Sequence, residues 1–326
     1  MVEEDLRVTD VSRRNSVFVV TASDAPTYVV KQAGPGTADT LAHEAAVLRE
    51  LARMPLLAGV VPALAHYDEA AVRLVLRSPP DAIPWRQQAR LPRLAAGALG
   101  RTLAAVHASR PELESSPPQD DRLWALTLPE PALERLRHMS TGELELVSRI
   151  QADPVLCDRL RRLRDQVGDE AFVHGDLRWE NCLALAAPGS KRRTRVLLID
   201  WELAGPGEPT ADLGAALGEC LRLWVESVPI VDPSSPGLLA SRARYPLGRL
   251  KPVMRALWAG YRSAAARPVS LGRVAEMAAV RLLETALEHA QRLVGVSAEA
   301  LALLQVADNV LRTPEDAARR LIGLDE

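Results

Sequence analysis

The chain has few cysteines, few lysines and no long apolar run, and each scarcity excludes a class of protein. Its three cysteines, Cys157, Cys182 and Cys220, show no paired spacing and no neighbouring histidine. They therefore predict buried thiols in a reducing compartment, not a disulfide framework or a zinc site. No stretch approaches the ~18 uninterrupted apolar residues of a membrane span.

Net charge and the N-terminus narrow the class further. A formal charge of −2 over 326 residues gives no electrostatic basis for binding a nucleic-acid backbone. The first residues, Met1 to Asp5, are acidic and lack the apolar segment of a signal peptide. We therefore expect a cytoplasmic protein without nucleic-acid or membrane partners. With 48% apolar residues, the chain can form a sizeable core in one large domain or two lobes.

Lysine is almost absent although positive charge is common. Of the 40 lysines and arginines, the lysines are only Lys31, Lys191 and Lys251. Lys31 ends the β-branched run Thr27–Lys31, which is typical of a strand. A lysine presents a compact charge that suits phosphate oxygens, so we interpret Lys31 as a phosphate-binding residue. An ordinary surface lysine on an edge strand is the alternative.

One motif carries most of the chemical information. Asp176 follows His174-Gly175, Asn181 stands five residues after Asp176, and Asp200 ends the apolar run Val196–Ile199. The spacing of Asp176 and Asn181 matches the catalytic loop of protein kinases, where an Asp holds the attacking hydroxyl and an Asn holds a metal. Mg²⁺ takes only one or two carboxylates, so Asn181 with Asp200 suits it. Separately, Asp176 could be a turn former and Asp200 a strand end; together they favour phosphoryl transfer.

The segment from Phe172 to Leu213 resembles the aminoglycoside phosphotransferase family, whose members share a protein-kinase-like fold. It carries the family's His-Gly-Asp…Asn and Ile-Asp-Trp-Glu runs. The resemblance implies that ATP and Mg²⁺ are the cofactors. It also implies that Asp176 is the catalytic base and that Asn181 and Asp200 are the magnesium ligands.

Two further residues of this segment are expected to support the loop. Asp176 already fills the position of the base, so we expect His174 to brace the loop by hydrogen bonding. Asp212, in a run similar to the family's Asp-Leu-Gly segment, should either cap the next helix or hold the catalytic loop.

The N-terminal region predicts a small sheet followed by one helix. The expected strands are Leu6–Val11, Val17–Thr21, Tyr28–Lys31, Val60–Tyr67 and Val72–Arg77. A helix is predicted from Thr37 to Arg53, and Glu44 shares its apolar stripe with three leucines. Because a buried carboxylate needs a partner, we expect Glu44 to pair with Lys31, as in the kinase arrangement that positions the ATP lysine. A solvated Glu44 beside the stripe is the alternative.

Other nucleotide contacts are predicted from position alone. Asn15 and Ser16 lie in the connection where a kinase has its glycine-rich lid, which here contains no glycine. Their side chains and backbone N–H groups could cover phosphates, or could form an ordinary hairpin turn. The backbone of Leu76 to Ser78, before the expected hinge at Ser78–Asp81, is predicted to contact adenine.

These observations predict an α+β, two-lobed, protein-kinase-like fold. Residues 1–80 would form a nucleotide-binding lobe with an antiparallel sheet and one helix. Residues 81–326 would form a large, mainly helical lobe with the catalytic loop and the acceptor site. Helices are expected at 91–109, 131–139, 141–151 and 153–167, and from Ala211 onward.

The leading functional hypothesis is a kinase that uses ATP and Mg²⁺ to phosphorylate a hydroxyl group. The acceptor is a small molecule (an antibiotic, amino alcohol or sugar) or a Ser/Thr side chain of a peptide. The peptide case would place the protein beside a precursor peptide and a lyase in a dehydration pathway. A regulatory pseudokinase that binds nucleotide is the alternative. The residues do not distinguish ATP from GTP.

Overall fold

The first part of the molecule is an antiparallel sheet. The structure, a computed structural model, describes residues 6–12, 15–21, 26–79, 82–85, 93–186, 193–229, 242–291 and 295–325. Its first five strands are β1 (Arg7–Asp10), β2 (Ser16–Thr21), β3 (Thr27–Gln32), β4 (Ala63–Asp68) and β5 (Arg73–Ser78). They are ordered β1-β2-β3-β5-β4, and all neighbours pair antiparallel. Lys31 therefore lies on the central strand, not on an edge.

One helix packs on this sheet. Helix α1 (Ala38–Ala52) follows the turn at Gly34–Gly36 and contacts β4 and β5. Its Ala- and Leu-rich sequence favours helix, and the predicted stripe is buried. Leu41, Glu44, Leu48 and Leu51 are all fully inaccessible to solvent. The carboxylate of Glu44 is therefore buried in the apolar interior together with the three leucines.

The remainder is mainly helical. Its helices are α2 (Arg93–Ala108), α3 (Gln119–Arg122), α4 (Leu133–His138), α5 (Thr141–Gln151), α6 (Pro154–Asp165), α7 (Pro209–Glu226), α8 (Leu247–Arg262), α9 (Leu271–Ala290), α10 (Ala298–Arg312) and α11 (Pro314–Asp316). Single 3₁₀ turns occur at Pro55–Leu57, Trp124–Thr127 and Trp179–Asn181, and a π-helical turn spans Ala317–Ile322. Helix α9 is central, packing against both α7 and α10, while α2 packs against α8.

Short strands within the helical part position the catalytic loop. They are β6 (Ile83–Pro84), β7 (Ala171–Val173), β8 (Cys182–Ala186), β9 (Arg193–Leu198) and β10 (Gly205–Gly207). Strands β8 and β9 form a hairpin in which Cys182 is opposite Leu198, and Ile199 N donates to Asn181 O at 3.0 Å. The hairpin thus brings Asn181 and Asp200 to its same end. Strand β7, before the loop, pairs with β10, after Asp200.

The predicted α+β kinase-like architecture is confirmed, with element boundaries shifted by a few residues. The short helix α3 lies between the expected helices at 91–109 and 131–139 and was not predicted. The hinge expected at Ser78–Asp81 extends into residues outside the described ranges, and Lys191 lies outside them. The division at residue 80 stays a prediction.

All three cysteines are buried free thiols, as expected. Among the described residues, no helix has both the length and the apolar character of a membrane span.

Candidate active site

Lys31 of β3, Glu44 of α1 and Asp200, which follows β9, meet in one cluster. Lys31 Nζ donates to both carboxylate oxygens of Glu44 at 2.8 Å and to Asp200 Oδ1 at 2.7 Å. Glu44 also accepts from Trp201 N at 3.3 Å. Residues separated by up to 169 positions thus share one cation. The structure selects the paired interpretation of Lys31 and Glu44 over the two surface alternatives.

Burial and charge oppose each other in this cluster, and charge prevails at the lysine. Burial by itself lowers the pKa of Lys31, but the carboxylates of Glu44 and Asp200 outweigh it and raise the pKa above its usual value. Burial would raise the pKa of Asp200, yet the Lys31 ammonium lowers it overall. The cluster therefore keeps a positive lysine beside a negative Asp200 at neutral pH.

Asp200 occupies an uncommon backbone conformation. Its φ is +71°, in the left-handed region that non-glycine residues seldom adopt. Asp is among the residues that tolerate this region best, because its short side chain can bond locally. The turn redirects the chain directly after β9. As a result the Asp200 carboxylate contacts Lys31 while the next N–H contacts Glu44.

Asp176 and Asn181 are in direct contact, as their spacing predicts. Asn181 Nδ2 donates to Asp176 O at 2.9 Å and to Asp176 Oδ2 at 3.1 Å. The 3₁₀ turn at Trp179–Asn181 folds the loop back so that this contact can form. The side chain of Asp176 remains 25% exposed, so a substrate can reach it.

Arg178 was not singled out from the sequence, although it stands only two residues after Asp176. Its Nε donates to Asp176 Oδ1 at 2.7 Å, and its Nη1 pairs with Glu288 of α9 at 2.9 Å. The pKa of Arg178 lies above its usual value because Asp176 and Glu288 outweigh the effect of burial. Its place two residues after Asp176 was the available signal.

His174 braces the loop, as predicted. Its Nδ1 accepts from Asp176 N at 3.3 Å, so the ring proton lies on Nε2, which donates to Ile199 O at 3.0 Å. One buried imidazole therefore links the backbone beside Asp176 with that beside Asp200. Gly175 between them has φ +81°, and a Cβ there would lie 2.4 Å from Leu203 O. Glycine is required at this position.

Asp212 holds the catalytic loop and does not cap a helix. Its carboxylate, in the first turn of α7, accepts from His174 N at 2.8 Å and from Gly175 N at 3.1 Å. His107 Nε2 donates to the same carboxylate at 3.2 Å, and His107 Nδ1 accepts from the Tyr261 hydroxyl at 3.0 Å. Burial raises the pKa of Asp212, but these donors lower it overall. His107 and Tyr261 had no signal in the sequence.

The other residues predicted to contact the nucleotide lie at the β1–β2 connection and on β5. Asn15 Oδ1 accepts from the Thr37 hydroxyl at 2.5 Å, which ties the β1–β2 connection to the start of α1. Ser16 is exposed at the start of β2. Leu76 is buried in β5 between β3 and β4, whereas Ser78 pairs only with Thr27 of β3. Contact of these residues with phosphate or adenine stays a prediction.

Asn181 and Asp200 suit a magnesium ion chemically. Because Asn181 Nδ2 faces Asp176, the amide oxygen is available for a cation. Lys31 binds only Oδ1 of Asp200, and no donor among the described residues contacts Oδ2. The described residues contain no cluster of three or more His, Cys, Asp or Glu that could hold a metal. A two-ligand oxygen site of this kind fits Mg²⁺, which keeps water and phosphate oxygens in its other positions.

A cavity of about 410 Å³ opens beside Asp176. This cavity, named the acceptor cleft for its proposed role, is lined by residues 175–178, by α3 and the turn after it, and by α7 and α9. Lys31, Glu44, Asn181 and Asp200 do not line it. Its floor includes Glu284 of α9, whose Oε2 accepts from Arg281 at 3.2 Å. Burial raises the pKa of Glu284 to about 7.

The titration of Glu284 predicts a pH-dependent stability. Between pH 4.5 and 7 the unfolded chain releases this proton while the folded protein keeps it, so the free energy of unfolding falls as pH rises. The shift corresponds to up to about 3 kcal/mol. Glu284→Gln lacks this titration. Its free energy of unfolding, measured relative to that of the wild type, should therefore rise by up to about 3 kcal/mol from pH 5 to pH 8. Urea unfolding of both proteins at the two pH values measures it, and parallel pH profiles would contradict the assignment.

One comparison of sequences covers a short segment. Over 70 residues the chain is 36% identical to a 4-hydroxytryptamine kinase from Psilocybe cyanescens. The match covers 21% of this chain and 19% of the relative, so the chain spans about a fifth of that relative's length.

The fold and the family model extend much further. A choline/ethanolamine kinase family protein from Mesorhizobium loti superposes with a TM-score of 0.54 at 18% identity, covering 99% of this chain and 94% of that one. Choline kinase LicA from Streptococcus pneumoniae, also solved in complex with AMP, gives 0.52 at 18% identity and covers 96% and 95%. Both likenesses confirm the kinase-like fold. The sequence model of the phosphotransferase enzyme family (APH) matches residues 7–259, and the chain therefore belongs to this family.

Proposed function

We propose that this protein uses Mg²⁺ and ATP to phosphorylate a hydroxyl group of a small molecule. The observation that carries the proposal is the arrangement around Asp176. Lys31 and Asp200 lie 2.7 Å apart, and Asp176 lines the acceptor cleft. His174 links the backbone of Asp176 to Ile199, which directly precedes Asp200. We infer that a hydroxyl group in the cleft can meet, at Asp176, a phosphoryl group held by the Lys31 cluster.

Each residue has a role that follows from its contacts. Lys31, held by Glu44, supplies a fixed positive charge for the nucleotide phosphates. Asn181 and Asp200 are the residues that would hold Mg²⁺, which when bound neutralises charge on the transferred group. Asp176 accepts the hydroxyl proton and orients the attacking oxygen, while Asp212 and His174 hold its backbone.

The dimensions of the cleft favour a small acceptor over a peptide chain. A volume of about 410 Å³ is within the range of small-molecule sites. Its walls combine apolar groups, such as Leu123, Trp124 and Met277, with charged side chains. The names of the similar proteins support the same choice, because they describe kinases of small hydroxylated amines.

A pseudokinase would be expected to have lost part of this set. Lys31, Glu44, Asp176, Asn181 and Asp200 are all present, and the described contacts join them into two groups linked through His174 and Ile199. An intact set of this kind favours a catalyst over a nucleotide-binding regulator.

The experiment is phosphoryl transfer from labelled ATP to a panel of small hydroxylated compounds, compared with Ser- and Thr-containing peptides. We expect transfer to at least one small molecule, dependent on Mg²⁺ and abolished by EDTA. Asp176→Asn serves as the matched inactive control. Transfer only to peptides would contradict the proposed acceptor class, and ATP binding without transfer to any acceptor would favour the pseudokinase.

A further inference from the structure

Four arginines line the acceptor cleft, and they differ in how their charge is balanced. Arg178 pairs with Asp176 and Glu288, and Arg281 pairs with Glu219, Glu284 and Glu288. Arg135 lies over the Trp124 ring, 5.1 Å from its centroid. Among the described residues, Arg122 has neither a carboxylate within ion-pair distance nor an aromatic ring beneath it. Its Nη1 is buried and has no hydrogen-bond partner there.

The backbone around Arg122 is built to admit its side chain. Two neighbouring glycines leave room for it, since an added Cβ would lie 2.7 Å from Cδ at Gly175 and 3.1 Å from Nη1 at Gly205. At Gly207 the added Cβ would lie 3.7 Å from Nη1, an ordinary van der Waals contact. Gly175 directly precedes Asp176, so the guanidinium lies against the backbone of the catalytic loop. The position of Arg122 is therefore fixed by packing, although no anion of the described chain compensates its charge.

The pKa of Arg122 lies below its usual value, as expected for a buried cation without a direct partner. Burial lowers the pKa of Arg122, while Asp212 and Asp121 only partly oppose this from a distance. Asp212 is not within ion-pair distance of Arg122, and its oxygens accept from His107 and from the loop N–H groups. Paired Arg178, in the same cleft, shows the opposite shift. Because Arg122 lines the cleft, an anion entering it would compensate this charge.

That anion is not expected to belong to the nucleotide. The residues that face ATP, Lys31 and Asp200, do not line the acceptor cleft, whereas Arg122 does. Arg122 lies on α3 and contacts the cleft from the side of β7 and β10, on the helical part of the molecule. A group held there belongs to the molecule whose hydroxyl reaches Asp176.

We propose that Arg122 binds an anionic group of the acceptor, a carboxylate or a phosphate, and so holds the acceptor hydroxyl at Asp176. The inference deepens the proposed function and rests on it for the identity of the cleft. A guanidinium can donate two parallel hydrogen bonds to either anion, which fixes orientation as well as affinity. The acceptor is thus a hydroxylated acid, in contrast to the purely cationic acceptors of a choline-type kinase.

The test uses matched probes that differ only in the anion. Suitable pairs are L-serine with ethanolamine, L-homoserine with 3-aminopropanol, and glycerol 3-phosphate with glycerol. Binding to the full-length protein is measured by calorimetry at constant ionic strength, and phosphorylation is measured in parallel. At least one anionic probe should bind about 10- to 100-fold more tightly than its match. The carboxylate and phosphate pairs identify which anion is preferred.

Variants assign the effect to Arg122. Arg122→Met, which keeps the side-chain length, should abolish the preference for the anionic probe and leave MgATP affinity within about twofold. Arg122→Lys should retain part of the preference, since the charge remains but the paired donors do not. Arg164→Met is the matched control, because Arg164 is an exposed partner of Asp120 at the other end of α3. Thermal unfolding of each variant checks that it is folded.

The outcomes separate this inference from the proposed function. Equal binding within every pair, no binding of any anionic probe, or a loss of MgATP affinity in Arg122→Met would each overturn the role of Arg122. Phosphorylation of neutral or cationic acceptors alone, still dependent on Asp176, would overturn this inference and leave the kinase activity standing. Arg122-dependent anion binding without any phosphoryl transfer would overturn the kinase activity and leave the anion-binding role of Arg122 standing.

Discussion

Replacing Asp176 by asparagine is expected to lower turnover by about 10²–10⁴-fold, the range of a general base, while MgATP binding changes little. The carboxylate acts on the acceptor hydroxyl during transfer, and an amide cannot accept its proton. The loop should keep its shape in the variant, because Asn181 also bonds the backbone oxygen of Asp176 and Asp212 holds the N–H groups of His174 and Gly175.

Asp200→Asn should behave differently, since it removes the formal charge that faces both the metal and Lys31. We expect it to reduce turnover and to weaken MgATP binding together. Steady-state kinetics and nucleotide dissociation constants of both variants, with exposed Asp169→Asn as control, separate the two roles. If Asp176→Asn weakens MgATP binding as strongly as Asp200→Asn, Asp176 is a metal ligand and the assignment of the base is wrong.

Replacing Lys31 by methionine is expected to destabilise the protein by about 3–5 kcal/mol and to weaken nucleotide binding. Glu44 has no exposed surface, and Lys31 is the cation that both of its oxygens contact. Without the lysine, the Glu44 and Asp200 carboxylates would also face each other across the vacated position. Both effects lower the free energy of unfolding.

The double variant Lys31→Met/Glu44→Gln distinguishes stability from function. Neutralising Glu44 should recover part of the lost free energy of unfolding, because the fully buried side chain at this position then carries no charge, yet MgATP affinity should stay low. Lys251→Met is the control, since Lys251 makes only an exposed hydrogen bond to Arg320 O. Urea unfolding and nucleotide titration give the two quantities. Unchanged stability in Lys31→Met would show that the buried pair contributes little.

Much of the chemistry could be predicted because it is encoded in short spacings. Asp176 and Asn181 are five residues apart in one loop, and the hairpin that follows returns Asp200 to the same end. The pairing of Lys31 with Glu44 was also predictable, because a carboxylate on an apolar helical stripe needs a cation. The strand and helix assignments followed from residue periodicity and were displaced at their ends, while the short helix α3 and the short strands β6, β7 and β10 were not predicted.

Contacts between distant segments could not be predicted in the same way. Arg178 is paired with Glu288 and His107 with Asp212, at separations of 110 and 105 residues, and neither pair has a local pattern. Arg122 stands at the end of a short helix that no sequence pattern predicted. Its unbalanced charge appears only when its surroundings in space are known.

The sequence by itself determined the reaction class, because the groups that act on phosphate and hydroxyl lie at fixed intervals along the chain. It also determined the kinase-like architecture, through its alternation of strands and amphipathic helices. Only the tertiary structure formed the cleft in which the acceptor is proposed to bind. The walls of that cleft come from α3, the catalytic loop, α7 and α9, which are far apart in sequence. Charge balance within a cavity is a property of positions in space, and local spacing does not record it.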